Sequence, residues 1–215
     1  MEASTGLRER KKAATRAALS AATVRIIRER GIEAATAEAV AAEVGVSART
    51  FHNYFANRDE AIVFHLETRL EWLTEKLAAT PSDKPILSTL RALVADAAED
   101  DALRLGELAS ALLLAEANPH VAASNHVVFT RAMGKMVRIV AERTGTDPDT
   151  DLYPHVVLMS AAAALRSAVE LWLTGKVTDR SLPDVLGEAF DLIESGLQQP
   201  CSRQISASAR SHQEL

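Results

Sequence analysis

Between Ser47 and Phe55 the chain reads Ser-Ala-Arg-Thr-Phe-His-Asn-Tyr-Phe, a stretch dense in hydrogen-bonding side chains. Phe51 and Phe55 are four residues apart, so on a helix they share one face and can anchor it to a core. Arg49, Thr50, His52 and Asn53 are then left with mainly outward directions. That combination suits the major groove of duplex DNA. An arginine there can grip the O6/N7 edge of guanine, and an asparagine can pair with the N6/N7 edge of adenine. Tyr54, Thr36 and Arg58 fall at or near helix ends, where contacts to phosphate are geometrically easy.

A helix that enters a groove needs a second helix to hold it, and the preceding residues supply one. Thr36 can cap a short helix carrying Ala39, Val40 and Ala42 to Val44; Gly45 breaks it, and Ser47 can cap the reading helix through Tyr54. This is the layout of a helix-turn-helix. Ahead of it, a helix from about Arg8 to Arg30 places Leu19, Ala22, Thr23 and Ile26 on one face and stops at Gly31. Behind it, Asn57 caps a long fourth helix, and Glu60, three residues on, is expected to close a capping box. That helix should reach Ala79, burying Ile62, Leu66, Leu70, Leu73 and Leu77. Further helices are expected near residues 86–98, 101–116, 119–143, 150–174 and 181–197, with Asn118-Pro119 as an N-cap and first-turn pair. No segment alternates β-branched with polar residues, so the fold class is all-α.

Net charge is −5, but it is unevenly spread. Residues 1–58 hold ten Lys/Arg against six Asp/Glu, whereas residues 59–215 hold fourteen against twenty-three. A basic N-terminal module attached to an acidic body follows. The 47% apolar content of the 215 residues excludes disorder for most of the chain, and a lone cysteine, Cys201, excludes a disulfide scaffold. No run approaches the roughly 18 apolar residues of a membrane span. The charged N-terminus also lacks the apolar stretch of a signal peptide, so a soluble, cytoplasmic protein with no membrane partner is expected.

Residues 8–66 resemble the DNA-binding domain of the TetR family of transcriptional regulators. The resemblance rests on Ala17 to Ile27, Glu29-Arg30-Gly31-Ile32, Thr36, Val40-Ala41, Gly45-Val46-Ser47, Thr50-Phe51, Tyr54-Phe55 and Asn57 to Ile62. It implies that the third helix reads bases and that the start of the fourth meets phosphate. The DNA-facing set is then Thr36, Ser47, Arg49, Thr50, His52, Asn53, Tyr54 and Arg58. His52 stands where tyrosine is common in the family, Arg58 where lysine is common, and Ala56 where proline is common.

The same resemblance implies a helical body that binds an effector and dimerises. The expected divisions are a helix-turn-helix domain at 1–56, a body at 57–197 whose 57–79 segment is the connecting helix, and a disordered tail at 198–215. The small-residue run Ser160 to Ala164 would let a partner helix approach closely, giving a dimer surface around Ala163, Ala164, Leu171, Trp172, Leu186 and Phe190. For a pocket among the middle helices the chain offers Leu93, Leu108, Leu112, Asn125, Phe129, Met133 and Arg166. Residues 118–143 and 165–173 are similar to a branch of the family whose ligands include fatty acyl thioesters. The partners implied are an approximately palindromic double-stranded DNA operator, a second copy of the chain and a small apolar or amphipathic effector. The expected function is a ligand-responsive repressor.

Nothing points to catalysis. No Walker loop, nucleophile elbow, dinucleotide-binding glycine turn or zinc-binding His-Glu-x-x-His helix is present. The six histidines at 52, 65, 120, 126, 155 and 212 show no metal-ligand spacing, so no cofactor and no metal are expected. The competing possibility is a helical small-molecule-binding protein or enzyme whose helix-turn-helix is vestigial.

Overall fold

The computed structural model describes residues 2–81, 84–100, 119–177 and 179–197. The expected 101–116 helix, the Asn118 cap, Leu108, Leu112 and the 198–215 tail with Cys201 lie outside the described residues. Helices α1 (Glu2–Arg30), α2 (Ala37–Val44), α3 (Ala48–His52) and α4 (Arg58–Ala79) follow one another, with a single 3-10 turn at Ile32–Ala34 after α1. They are followed by α5 (Ile86–Asp100), α6 (Pro119–Thr144), α7 (Leu152–Leu173) and α8 (Leu182–Glu194). No strand occurs among the described residues.

Side-chain caps set the starts of several helices. Thr36 accepts from the Ala39 amide at 3.2 Å, Ser47 from the Thr50 amide at 3.2 Å, and Asn57 from the Glu60 amide at 2.9 Å. Each such cap typically contributes about 1 kcal/mol. Glu60 differs from expectation. Its Oε2 accepts from the Ala56 amide at 2.7 Å, one residue outside the cap, so the box closes on the turn rather than on Asn57 itself. A full capping box forms instead at α8, where Ser181 and Asp184 bond reciprocally. Gly31 and Gly45 end α1 and α2 with φ of 85° and 73°, left-handed values that a side chain would strain.

Two apolar cores result. The first gathers Leu19, Ala22, Val24, Ile26 and Ile27 of α1 with Val40, Ala41, Phe51 and Phe55. One long and two short helices leave this core open, and Ala61 and Ile62 from the first turns of α4 join it. It therefore extends past residue 56. Val121, 1% exposed at the start of α6, belongs to it too. The second core runs from Leu66 on α4 through Ile86, Leu90, Met136, Val140, Leu158, Val169, Leu186 and Phe190. Helices α4 and α6 thus pass through both. At the far end, the Arg143 guanidinium of α6 donates to the carbonyls of Leu77 (2.5 Å) and Thr80, occupying orphan acceptors at the end of α4.

This packing corrects three residues expected on the dimer surface. Ala164, Leu186 and Phe190 are buried within the chain's own second core, and Trp172 packs against it. Their apolar faces meet helices of the same chain, α7 and α8 packing on each other and both on α5. The apolar side chains of α7 that remain exposed are Leu152 (78%), Val156 (56%), Met159 (52%), Tyr153 and Leu171, of which Leu171 belongs to the expected set. Ala163 is exposed along the same stripe as Val156 and Met159.

Candidate functional site

The reading helix is held by its aromatic side. Phe51 and Phe55 are 2% and 1% exposed, with ring centroids 5.7 Å apart. Phe55 also meets Phe64 of α4 at 5.6 Å, and the Arg16 guanidinium from α1 lies 4.1 Å from the Phe64 ring centroid and 5.3 Å from that of Phe55. Arg16 is thereby drawn in as packing, while Arg8, Arg10, Lys11 and Lys12 on the same helix stay exposed. On the opposite side of α3, Arg49, His52 and Asn53 are exposed, as the spacing predicts. The helix is shorter than expected and ends at His52, with Asn53 as its C-cap and Tyr54 in the turn beyond.

The hydroxyls are more constrained. Ser47 Oγ and Thr50 Oγ1 lie 2.9 Å apart and bond each other, besides the cap to the Thr50 amide. Thr36 is exposed and its oxygen accepts from the Ala39 amide. A second cross-brace fixes α2 against α1, where Glu43 pairs with Arg25 at 3.0 Å and Arg30 at 3.9 Å.

Arg58 opens α4, as expected, with its side chain 29% exposed. Its guanidinium turns inward and donates from Nη1 to the Ile32 carbonyl in the 3-10 turn at 2.5 Å, with Nε 3.8 Å from Asp59. The group expected at phosphate thereby ties the start of α4 to the connection between α1 and α2. One turn beyond the first core, His65 of α4 is 3% exposed. Burial, with the charge of Arg69 adding to it, holds its pKa down at about 4.

A second site lies between α4, α5, α6 and α7: a cavity of about 460 Å³. Small-molecule sites span roughly 300–1,000 Å³. Of the seven residues expected to line a pocket, Leu93, Asn125, Phe129, Met133 and Arg166 are brought together here. Leu70, Leu73 and Leu77 of α4 and Leu158 and Met159 of α7 line it as well, and sequence reasoning had missed them. So do Ala161, Ala162 and Ala163, whose small side chains leave the space. The alanine run had suggested a close helix contact, whereas here missing bulk makes a cavity. Asn125 is buried at 8% exposure, a polar residue in this largely apolar wall.

Comparison with known proteins decides the family. Residues 19–62 match the family described as bacterial regulatory proteins, tetR family, and residues 84–198 match the MftR C-terminal domain, a C-terminal domain of TetR proteins; the second match alone spans over half of the chain. The chain belongs to the TetR family. As a TetR-family protein it is a DNA-binding transcription regulator of the helix-turn-helix type. Among its relatives is the HTH-type transcriptional regulator TcmR of Streptomyces glaucescens, 27% identical over 192 residues, covering 86% of this chain and 84% of that protein. The TetR fold is shared with the fatty acid degradation regulator FadR of Bacillus halodurans, with a TM-score of 0.62 and 17% identity over 84% of this chain and 95% of that one. FadR of Bacillus subtilis, solved with stearoyl-CoA, also gives a TM-score of 0.62, with 16% identity over 84% of this chain and 98% of that one.

Proposed function

We propose that this TetR-family protein is a homodimeric repressor. In this reading it holds an approximately palindromic operator and releases it when a small apolar or amphipathic effector enters the cavity. Helix α4 carries the reading. One uninterrupted helix supplies Ala61 and Ile62 to the core behind the reading helix, and Leu70, Leu73 and Leu77 to the cavity wall. A ligand that displaces those leucines displaces a rod whose other end seats α3. In a two-fold dimer the two reading helices must enter successive major grooves about 34–36 Å apart, so a small tilt of α4 is amplified into a misfit on DNA. The effector acts only through its differential affinity for the two spacings.

The dimer is supported by the surface of α7. This helix is long and apolar enough to cross a membrane by length and composition, yet only 28% of its most apolar stretch is buried in the chain. A stripe through Leu152, Val156 and Met159 calls for a cover, and the same stripe on a second copy provides a self-complementary one. The protein then acts in the cytoplasm, where its operator lies, without enzymatic activity. The apolar cavity and the stearoyl-CoA bound by the Bacillus subtilis structure support an amphipathic effector.

Selection of bound sequences from randomised duplex DNA tests the reading. The folded protein should enrich a two-fold symmetric site with half-sites one turn apart. Failure to enrich any sequence at moderate salt would overturn it.

A further inference from the structure

Asn125 is a buried polar residue in a wall built largely of Leu73, Leu93, Phe129, Met133 and similar apolar side chains, which His126 and Arg166 also line. Its Oδ1 has no hydrogen-bond partner. Burying an amide oxygen unpaired is costly, and on a residue that lines a ligand-sized cavity it points to a ligand group as the missing partner. The nature of that group follows from donor and acceptor chemistry. A hydrocarbon would leave Oδ1 orphaned, and a carboxylate, being acceptor-only when ionised, has no proton to give it. An ammonium group could donate, but it would lose its hydration against an apolar wall. A hydroxyl both donates and accepts, so it pairs with the amide whichever way the amide is turned.

We propose that Asn125 is the polar anchor of the cavity, and that the effector is a mostly apolar molecule whose alcohol or phenol hydroxyl bonds to the Asn125 amide. This rests on the reading of the cavity as the effector site. It also gives that site a second line to the DNA-binding domain. Val121, one helical turn before Asn125 on α6, is a member of the first core. A hydroxyl held at Asn125 fixes the very turn of α6 that seats in the reading domain.

Pyrene and 1-hydroxypyrene, rigid apolar bodies differing by one hydroxyl, test the proposal by fluorescence titration of the full chain. The wild-type protein should bind 1-hydroxypyrene about tenfold more tightly than pyrene, as one net hydrogen bond allows. Asn125→Leu should bind the two alike, with pyrene affinity kept or improved. Asn125→Ala reads the same preference should the leucine variant fail to fold. Equal affinities in the wild type, a preference that survives both substitutions, or no binding of either probe would each overturn the proposal. DNA selection judges the regulator reading separately. A protein with the expected probe preference but no enriched DNA keeps the Asn125 anchor and loses the repressor; enriched DNA without the preference does the reverse.

Discussion

The guanidinium of Arg58 donates to the backbone carbonyl of Ile32 at 2.5 Å, across 26 residues of sequence. It pins the first turn of α4 to the turn that launches α2, so the two supports of the reading helix cannot move independently. An arginine spent in this way is poorly placed to hold phosphate. Arg58→Ala should therefore lower folding stability by about 1.5–3 kcal/mol, the usual range for a hydrogen bond to a charged group. It should leave the dependence of log affinity on log salt nearly unchanged. A drop of about 2 in that slope, as expected for two lost phosphate contacts in a dimer, would return Arg58 to the DNA backbone.

Arg49 should behave in the opposite way. It is exposed in the first turn of the reading helix. Arg49→Ala should cost about 1–3 kcal/mol at one operator position per half-site, with little change in salt dependence. Affinities for a set of single-base operator variants measure this. A uniform loss over all variants would assign Arg49 to phosphate.

Two kinds of substitution on α7 should part company. Val156→Glu places a charge on the exposed stripe, so the chain should stay folded and light scattering should report monomers. Ala164→Glu puts the charge into the chain's own core and should unfold it, at a cost of several kcal/mol. A Val156→Glu protein that remains dimeric at micromolar concentration would move the interface elsewhere.

His65 makes stability depend on pH. Its folded pKa is about 4 against an ordinary 6.5, because burial and the nearby Arg69 disfavour the charged form. The unfolded chain therefore takes up the proton first as pH falls. The stabilisation is intact above pH 6.5 and is lost progressively down to about 4. From 1.36 kcal/mol per pKa unit, roughly 3 kcal/mol is at stake. Urea titrations across that range should show the loss in the wild type and a flatter profile in His65→Leu. Equal pH profiles in the two proteins would mean that His65 is not the titrating group.

Local chemistry made much of this architecture legible. Thr36, Ser47 and Asn57 announce helix starts because each cap involves a side chain and an amide only three residues away. Phe51 and Phe55 announce the inward side of α3 because helical spacing alone puts them together. Periodicity says which residues share a face but not what the face meets. Leu186 and Phe190 accordingly went to a partner when they belong to the chain's own core. Arg58 was unreadable for a related reason, since its acceptor is a main-chain carbonyl with no sequence signature. The cavity was half legible. Large apolar residues such as Phe129 and Met133 could be named, but the space itself comes from small ones, Ala161 to Ala163, whose lack of bulk signals equally a tight contact or a void.

Val121 has a consequence for protein engineering. A chimeric regulator would graft the DNA-reading head of one protein onto the sensory body of another, with α4 as the obvious place for the junction. Here the head's core is finished by a side chain that arrives from α6, some sixty residues after Ile62. A head excised at the end of α4 would carry a hole where Val121 sits. A graft onto a foreign body would inherit whichever residue that body presents there. Matching the plug to the socket, rather than choosing the junction, becomes the first design decision for any hybrid built from this chain.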